Sequence, residues 1–235
     1  MTRPFDLITF DFDGVLLHNT YPEIFLETCR RLGFRWPQEA EARLARFVHN
    51  YYASGLADID IETHGEAQFW VAANRRFLEA LEVEEEIDAG LAGLSAEMQY
   101  VEAHYFHEAT IHQVLGSLRR AGYRLAMLTN RDERVRTLCR EWGFLDHFEF
   151  IGTRETVGKA KPAPDLFHHI SERFNVPAAR ALHIGDNPYA DVQGAHAAGW
   201  QCVLIDPDDL FPDWEVPRLR MVQELPGWLE SIYLY

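Results

Sequence analysis

Cysteine is scarce. The 235-residue chain holds three, Cys29, Cys139 and Cys202, far apart and odd in number. Each lies in an apolar helix or strand pattern, so they are read as reduced, buried thiols of a cytoplasmic protein. Basic residues are also outnumbered, 22 against 37 acidic, for a formal net charge of −15. That balance disfavours nonspecific binding to nucleic acid or to anionic membrane, and neither is expected as a partner. It leaves room for a small anionic substrate, because a local metal ion and a lysine reverse the field at one site. No apolar run approaches the ~18 residues of a membrane span. The opening MTRPFDLITF lacks the basic and long apolar regions of a signal peptide. Internal repeats and low-complexity linkers are missing too. What the chain does have is core material, 47% apolar residues, enough for one large domain or a core domain with a smaller insert.

Five short apolar runs read as strands: 7–10 (LITF), 124–129 (RLAMLT), 148–152 (FEFIG), 181–185 (ALHIG) and 201–205 (QCVLI). Continuous and partly β-branched, they fit strands buried on both faces. Amphipathic helices fall between the last four. One puts Ile111, Val114, Leu115 and Leu118 on one face and stops at Gly122. Another carries Val135, Leu138, Cys139 and Trp142, with Asp132 as cap and Gly143 as stop. Strands alternating with helices predict a parallel α/β sheet. Residues 18–107 break the rhythm, with helical patterns and no buried strand. A helical insert just after the first strand, placed above the carboxyl end of the sheet, is a candidate lid. The tail after Asp206, rich in Pro and Trp, is expected to pack as an irregular edge.

The first strand ends on Asp11 and Asp13, followed by Gly14. Strand alternation points the two carboxylates the same way, where unpaired they would repel. A metal ion, a lysine or both between them would resolve the conflict. Three other segments end strands or open the turns after them: Thr129–Asn130, GKAKPAPDLF with Lys159 and Lys161, and HIGDNPYAD with Asp186 and Asp191. In a parallel sheet these ends share one side. Carboxylates suit Mg²⁺; Lys, Thr and Asn suit phosphoryl oxygens.

In order and spacing, DFDGVL, LTN, KPAPDLF and GDNPYADVQGAHAAG resemble the haloacid dehalogenase superfamily, in its phosphatase branch with a helical cap (subfamily I). The resemblance runs from Asp6 to about Asp206 and is weak across the cap. It implies a Rossmann-like core at 1–17 and 108–235 with a helical cap at 18–107, and an Mg²⁺-dependent phosphatase acting on a small phosphorylated metabolite. Asp11 would be the nucleophile that forms an aspartyl-phosphate. Asp13 would protonate the leaving oxygen and then activate water. Asp11, Asp186 and the Asp13 carbonyl would hold Mg²⁺. Thr129, Asn130 and the Gly14 turn would face the phosphoryl group, and Lys161 would neutralise it. Asp191 would orient its neighbours or bind the metal through water.

Two positions depart from the family pattern: Val15 where most of these phosphatases have Thr, and His18 where many members have an acidic residue. Val15 also occurs in the family's sugar-phosphate mutases, which keeps a mutase as an alternative. A catalytically idle scaffold is the other, and it has no reason to keep so costly a charge cluster. A dehalogenase would not need Asp13. Lys159 is the runner-up to Lys161. His104, His107 and Glu108 form a possible metal pattern without a known zinc-helix spacing. His168 and His169 are expected on a helix surface, and Phe69, Trp70 and Phe77 mostly in the cap core.

Overall fold

The computed structural model describes residues 3–19, 21–98, 105–106 and 109–232. Two compact units make up the chain: Met1–His18 with Phe106–Tyr235, and the inserted Asn19–Tyr105. His104, His107 and Glu108 lie outside the described residues.

In chain order the strands are β1 (Leu7–Phe10), β2 (His18–Asn19), β3 (Tyr105–Phe106), β4 (Arg124–Leu128), β5 (Phe150–Gly152), β6 (Ala181–Gly185), β7 (Gln201–Ile205) and β8 (Arg218–Leu219). β2 and β3 pair with each other; the other six form one sheet in the order β5-β4-β1-β6-β7-β8. Every pairing in that sheet is parallel. β1 is central, and all four of its residues are buried, which is why LITF shows no polar alternation. The chain builds outward from β1 on one side, then returns to build on the other, so the topological switch falls at its carboxyl end. Open α/β sheets bind ligands there. The fold is an α/β, Rossmann-like parallel sheet with helices.

Helix Thr110–Arg120 buries Ile111, Val114, Leu115 and Leu118, as its spacing predicts. Before helix Val135–Glu141, the Asp132 carboxylate accepts the Arg134 backbone N–H at 3.0 Å. Helix Asp165–Phe174 packs Leu166, Phe167 and Ile170 with Trp200 and Leu204 in the core; His168 on it is exposed and His169 half-buried. The tail departs from the irregular edge expected of it. The buried Asp206 carboxylate accepts from the backbone of Leu210 (2.8 Å) and Phe211 (3.0 Å) and from Arg218 (3.1 Å). This turns the chain back so that β8 pairs along β7. Two residues are too few to show a strand pattern.

The inserted unit is helical: α1 (Tyr21–Arg31), α2 (Ala40–Ala53), α3 (Leu56–His64), α4 (Glu66–Leu81) and α5 (Ile87–Met98). Phe25, Cys29, Leu44, Tyr51, Phe77, Leu78 and Leu94 are among its core residues. Of the aromatics expected inside, Phe77 is buried and Phe69 packs on the core, but Trp70 is 42% exposed. The indole is tilted against the Tyr21 ring, 5.4 Å between ring centroids, at the core's edge. α3 had no apolar periodicity to predict it, because the group it buries is a charge. Asp60 is 1% exposed and accepts both arms of Arg76 (2.7 and 2.8 Å) and the Tyr51 hydroxyl (2.9 Å).

That carboxylate is held below its ordinary range, mainly by the Arg76 hydrogen bonds, with burial opposing and Tyr51 adding. A depressed value stabilises the fold above the ordinary carboxylate range, and the contribution disappears as pH falls through the folded value. Asp60→Asn is therefore expected to lower the unfolding free energy by about 2–4 kcal/mol at neutral pH. The difference from wild type should shrink on acidification below about pH 4. Urea unfolding at several pH values checks both; a pH-independent difference contradicts the ionic origin.

All three cysteines are free and buried. Burial pushes Cys29 and Cys139 up to about 12 and Cys202 well above its ordinary value, so none is a reactive thiolate. Among the described residues no helix is long and apolar enough to cross a membrane.

Candidate active site

The Asp11 backbone N–H continues the ladder from β1 to the Ile184 carbonyl of β6, at 2.8 Å. The chain then folds into a tight turn: Leu16 and Leu17 N–H reach the Phe12 carbonyl at 3.0 and 2.9 Å, and Gly14 N–H reaches the Leu17 carbonyl at 2.8 Å. Gly14 has φ +69°, and a Cβ there would collide with the Asp186 carboxylate. A glycine at this point lets the β1 and β6 loops approach. At Gly185 a Cβ would likewise collide with the Asp191 carboxyl. Val15 is buried, 1% exposed, so the departure from the Thr pattern is filled by packing.

Lys161 is 2% exposed. Its ammonium donates to Asp191 Oδ1 at 2.6 Å and to the Leu128 carbonyl at 3.1 Å, and stands 3.1 Å from Asp11 Oδ2. Asn130 grips the lysine's backbone from both sides: its Nδ2 donates to the Lys161 carbonyl (3.0 Å) and its Oδ1 accepts the Lys161 N–H (2.7 Å). Lys159 does not join the cluster. It is exposed and paired with Asp165 at 2.7 Å.

Oxygens of Asp11, Asp186 and Asp191 lie within 4.8 Å of one another. Three carboxylates thus face one ammonium. Burial, more than any neighbour, pushes Asp11 up, to about 8; Lys161 pulls it down, while Asp191, Asp186 and Asp13 add to the rise. Burial also opposes charge on Lys161, but Asp11 and Asp191 outweigh it and raise the lysine. Asp191 goes the other way: burial raises it, yet Lys161 and His183 hold it well below the carboxylate range. Burial and the neighbouring carboxylates thus work together against a charge on Asp11. An all-oxygen donor set short of positive charge fits a hard divalent cation.

Asp13 is turned away from that set. Both of its oxygens accept from Arg131, Nε at 2.7 Å and Nη2 at 2.6 Å. Thr129, 1% exposed, accepts the Arg131 backbone N–H on its hydroxyl at 3.2 Å.

The sequence reading did not single out Thr9 and His183. They sit opposite each other in the β1–β6 register. Thr9 Oγ1 lies 2.8 Å from His183 Nδ1, and His183 Nε2 lies 3.0 Å from Asp191 Oδ1. Burial above all holds His183 below its ordinary value, against the pull of Asp191, and so favours the neutral ring. With Nε2 donating to the carboxylate, Nδ1 accepts from Thr9. Asn187 N–H takes Asp191 Oδ2 at 2.9 Å. Asp191 is thereby fixed from three directions and aims Lys161 at Asp11. A Thr and a His inside strands otherwise fully buried were the available signal.

A parallel sheet thus ends its central strand on a lysine-bridged aspartate cluster. Residues 5–199 match the family model described as "haloacid dehalogenase-like hydrolase", and the chain belongs to that family. Among curated relatives, haloacid dehalogenase-like hydrolase domain-containing protein 3 of Mus musculus is 32% identical over 123 residues, 51% of this chain and 49% of that protein. The match thus spans about half the relative's length. A phosphoglycolate phosphatase of Nitrosococcus oceani is 26% identical over 241 residues, covering 96% of this chain and 98% of that one. Among solved structures, the Bacillus subtilis HAD-hydrolase YfnB, bound to magnesium, shares the fold with TM-score 0.61, 20% identity and coverage of 97% and 100%.

Proposed function

We propose that this protein is an Mg²⁺-dependent phosphatase that hydrolyses a small phosphomonoester through an aspartyl-phosphate on Asp11. One observation carries the reading. Asp11 is buried against Lys161 (3.1 Å), while Asp13, two residues on, stands outside the carboxylate cluster with 42% of its side chain exposed. A carboxylate to attack and a second to move protons are the pair such a reaction needs. A dehalogenase has no use for the second, and an idle scaffold has no use for either.

Asp11 attacks phosphorus as the ester P–O bond breaks, and Asp13, entering in its acid form with a proton from solvent, gives that proton to the leaving oxygen. Asp13 then takes a proton from water, whose oxygen attacks phosphorus and expels the Asp11 carboxylate. Phe12 N–H on Asp11 Oδ1 (2.7 Å) and Lys161 at Oδ2 fix the attacking group. Thr129 and the Asn130 backbone would hold phosphoryl oxygens beside the Gly14 turn, and Lys161 would balance their charge. Asp11, Asp186 and the Asp13 carbonyl would hold Mg²⁺, whose charge neutralises the phosphoryl oxygens when bound. The geometry around Asp191 favours it as the orienter of Lys161. The relative named phosphoglycolate phosphatase supports a small metabolite as substrate, and the free buried thiols support a cytoplasmic setting.

A panel of small phosphomonoesters, assayed for phosphate release with and without Mg²⁺, tests the reading. Activity is expected to vanish in EDTA and return with Mg²⁺. Ca²⁺ should substitute poorly, because it takes more ligands at longer distances and displaces the nucleophile. Full turnover in chelator contradicts the metal assignment.

A further inference from the structure

We propose that Arg131 recognises a second anionic group on the substrate, beside the phosphate, and that this recognition releases Asp13 for proton transfer. The inference rests on the phosphatase reading and narrows its substrate class to phosphomonoesters carrying another anion, such as a carboxylate.

Arg131 places Nε and Nη2 on the two oxygens of Asp13, at 2.7 and 2.6 Å. While that fork holds, each carboxylate oxygen accepts from Arg131, which ties the orientation of Asp13 to the guanidinium. Turning Asp13 toward a leaving oxygen would open the pair. Its surroundings let it open: the side chains of Arg131 and Asp13 are 27% and 42% exposed, and ion pairs that water reaches are weak. An arginine fork matches carboxylate and phosphate alike. A substrate anion offers Arg131 the geometry that Asp13 offered, so one ion pair replaces another. A neutral leaving group offers no replacement, and Arg131 stays on Asp13.

The position suits the task. Arg131 directly follows Thr129 and Asn130, and its N–H is tied to the Thr129 hydroxyl at 3.2 Å. The guanidinium also lies over the Phe12 ring, 5.5 Å from its centroid. That contact keeps it beside the Asp11–Asp13 turn when its ionic partner changes.

The test compares three phosphates of one skeleton: 2-phospholactate, its carboxamide, which lacks the second anion, and 1,2-propanediol bisphosphate. p-Nitrophenyl phosphate is the control, and kcat and KM are measured with Mg²⁺ for wild type, Arg131→Gln and Arg131→Lys. Wild type is expected to prefer at least one anionic substrate over the amide by about 10- to 100-fold in kcat/KM. Arg131→Gln should lose that preference from both sides: the anionic substrates lose affinity through a higher KM, and the amide gains in kcat because Asp13 is no longer held by the fork. Arg131→Lys should keep part of it. Which substrate loses most distinguishes carboxylate from phosphate as the second anion. Equal losses on all four substrates, or a wild type indifferent to the second charge, overturn the inference and leave the phosphatase reading intact. Absence of phosphate release from every substrate overturns both.

Discussion

Asp11→Asn is expected to abolish turnover, by at least about 10⁴-fold, the scale of removing a covalent nucleophile. The amide keeps the shape and can still accept the Phe12 N–H, but it does not attack phosphorus. Stability should move the other way. In the metal-free protein Asp11 is held up to about 8, by burial first and then by the neighbouring carboxylates. A carboxyl with a raised folded value weakens the fold as pH climbs from the ordinary carboxylate range to the folded value. Asn escapes that loss; its Nδ2 takes the place of Oδ2 beside the Lys161 ammonium, a cost that does not change over this pH range, and Lys161 keeps Asp191 at 2.6 Å. The melting-temperature gain of Asp11→Asn, measured in EDTA, should therefore grow between about pH 4 and pH 8. Lost activity with a melting-temperature difference that stays constant over that range would mean that Asp11 is not under the strain the cluster implies.

Asp13→Asn is expected to behave differently, and its effect should depend on the leaving group. An alkyl phosphate needs a proton on its departing oxygen, so its first step should slow by about 10²- to 10⁴-fold. An activated aryl phosphate leaves unaided. With it, the variant should transfer the phosphoryl group to Asp11 and then stall for want of a base. Rapid-mixing kinetics should show a burst of aryl alcohol of about one equivalent, followed by slow turnover. Equal losses on both substrates and no burst would reduce Asp13 to a structural residue.

The parts of the fold most legible in the sequence are those where apolar burial alone decides. Leu7–Phe10, Ala181–Gly185 and Gln201–Ile205 lie where their apolar runs put them, because strands covered on both faces need no alternation. α3 was illegible for the opposite reason: its buried face turns on Asp60, and a charge satisfied by Arg76 and Tyr51 leaves no hydrophobic period. The candidate site divides similarly. Asp11, Asp186 and Asp191 could be placed together because parallel strands end on one side, and the family resemblance chose Lys161 over Lys159. Their supports could not. Thr9 meets His183 through strand register, across a sequence separation of 174, and nothing local announces it. Asn130 grips Lys161 with a side chain whose sequence neighbours suggest only a turn or cap. Arg131 meets Asp13 across a sequence separation of 118, a pairing no local pattern announces.

The covalent intermediate is the claim on which the rest depends, and it can be caught. Asp13→Asn, mixed with an aryl phosphate and Mg²⁺, is quenched in acid within the burst, digested and mapped by mass spectrometry. The peptide containing Asp11 should carry the added mass of one phosphoryl group, absent when Asp11 is also changed to Asn. A burst of aryl alcohol with that peptide unmodified, or with the phosphoryl group on another side chain, contradicts the account.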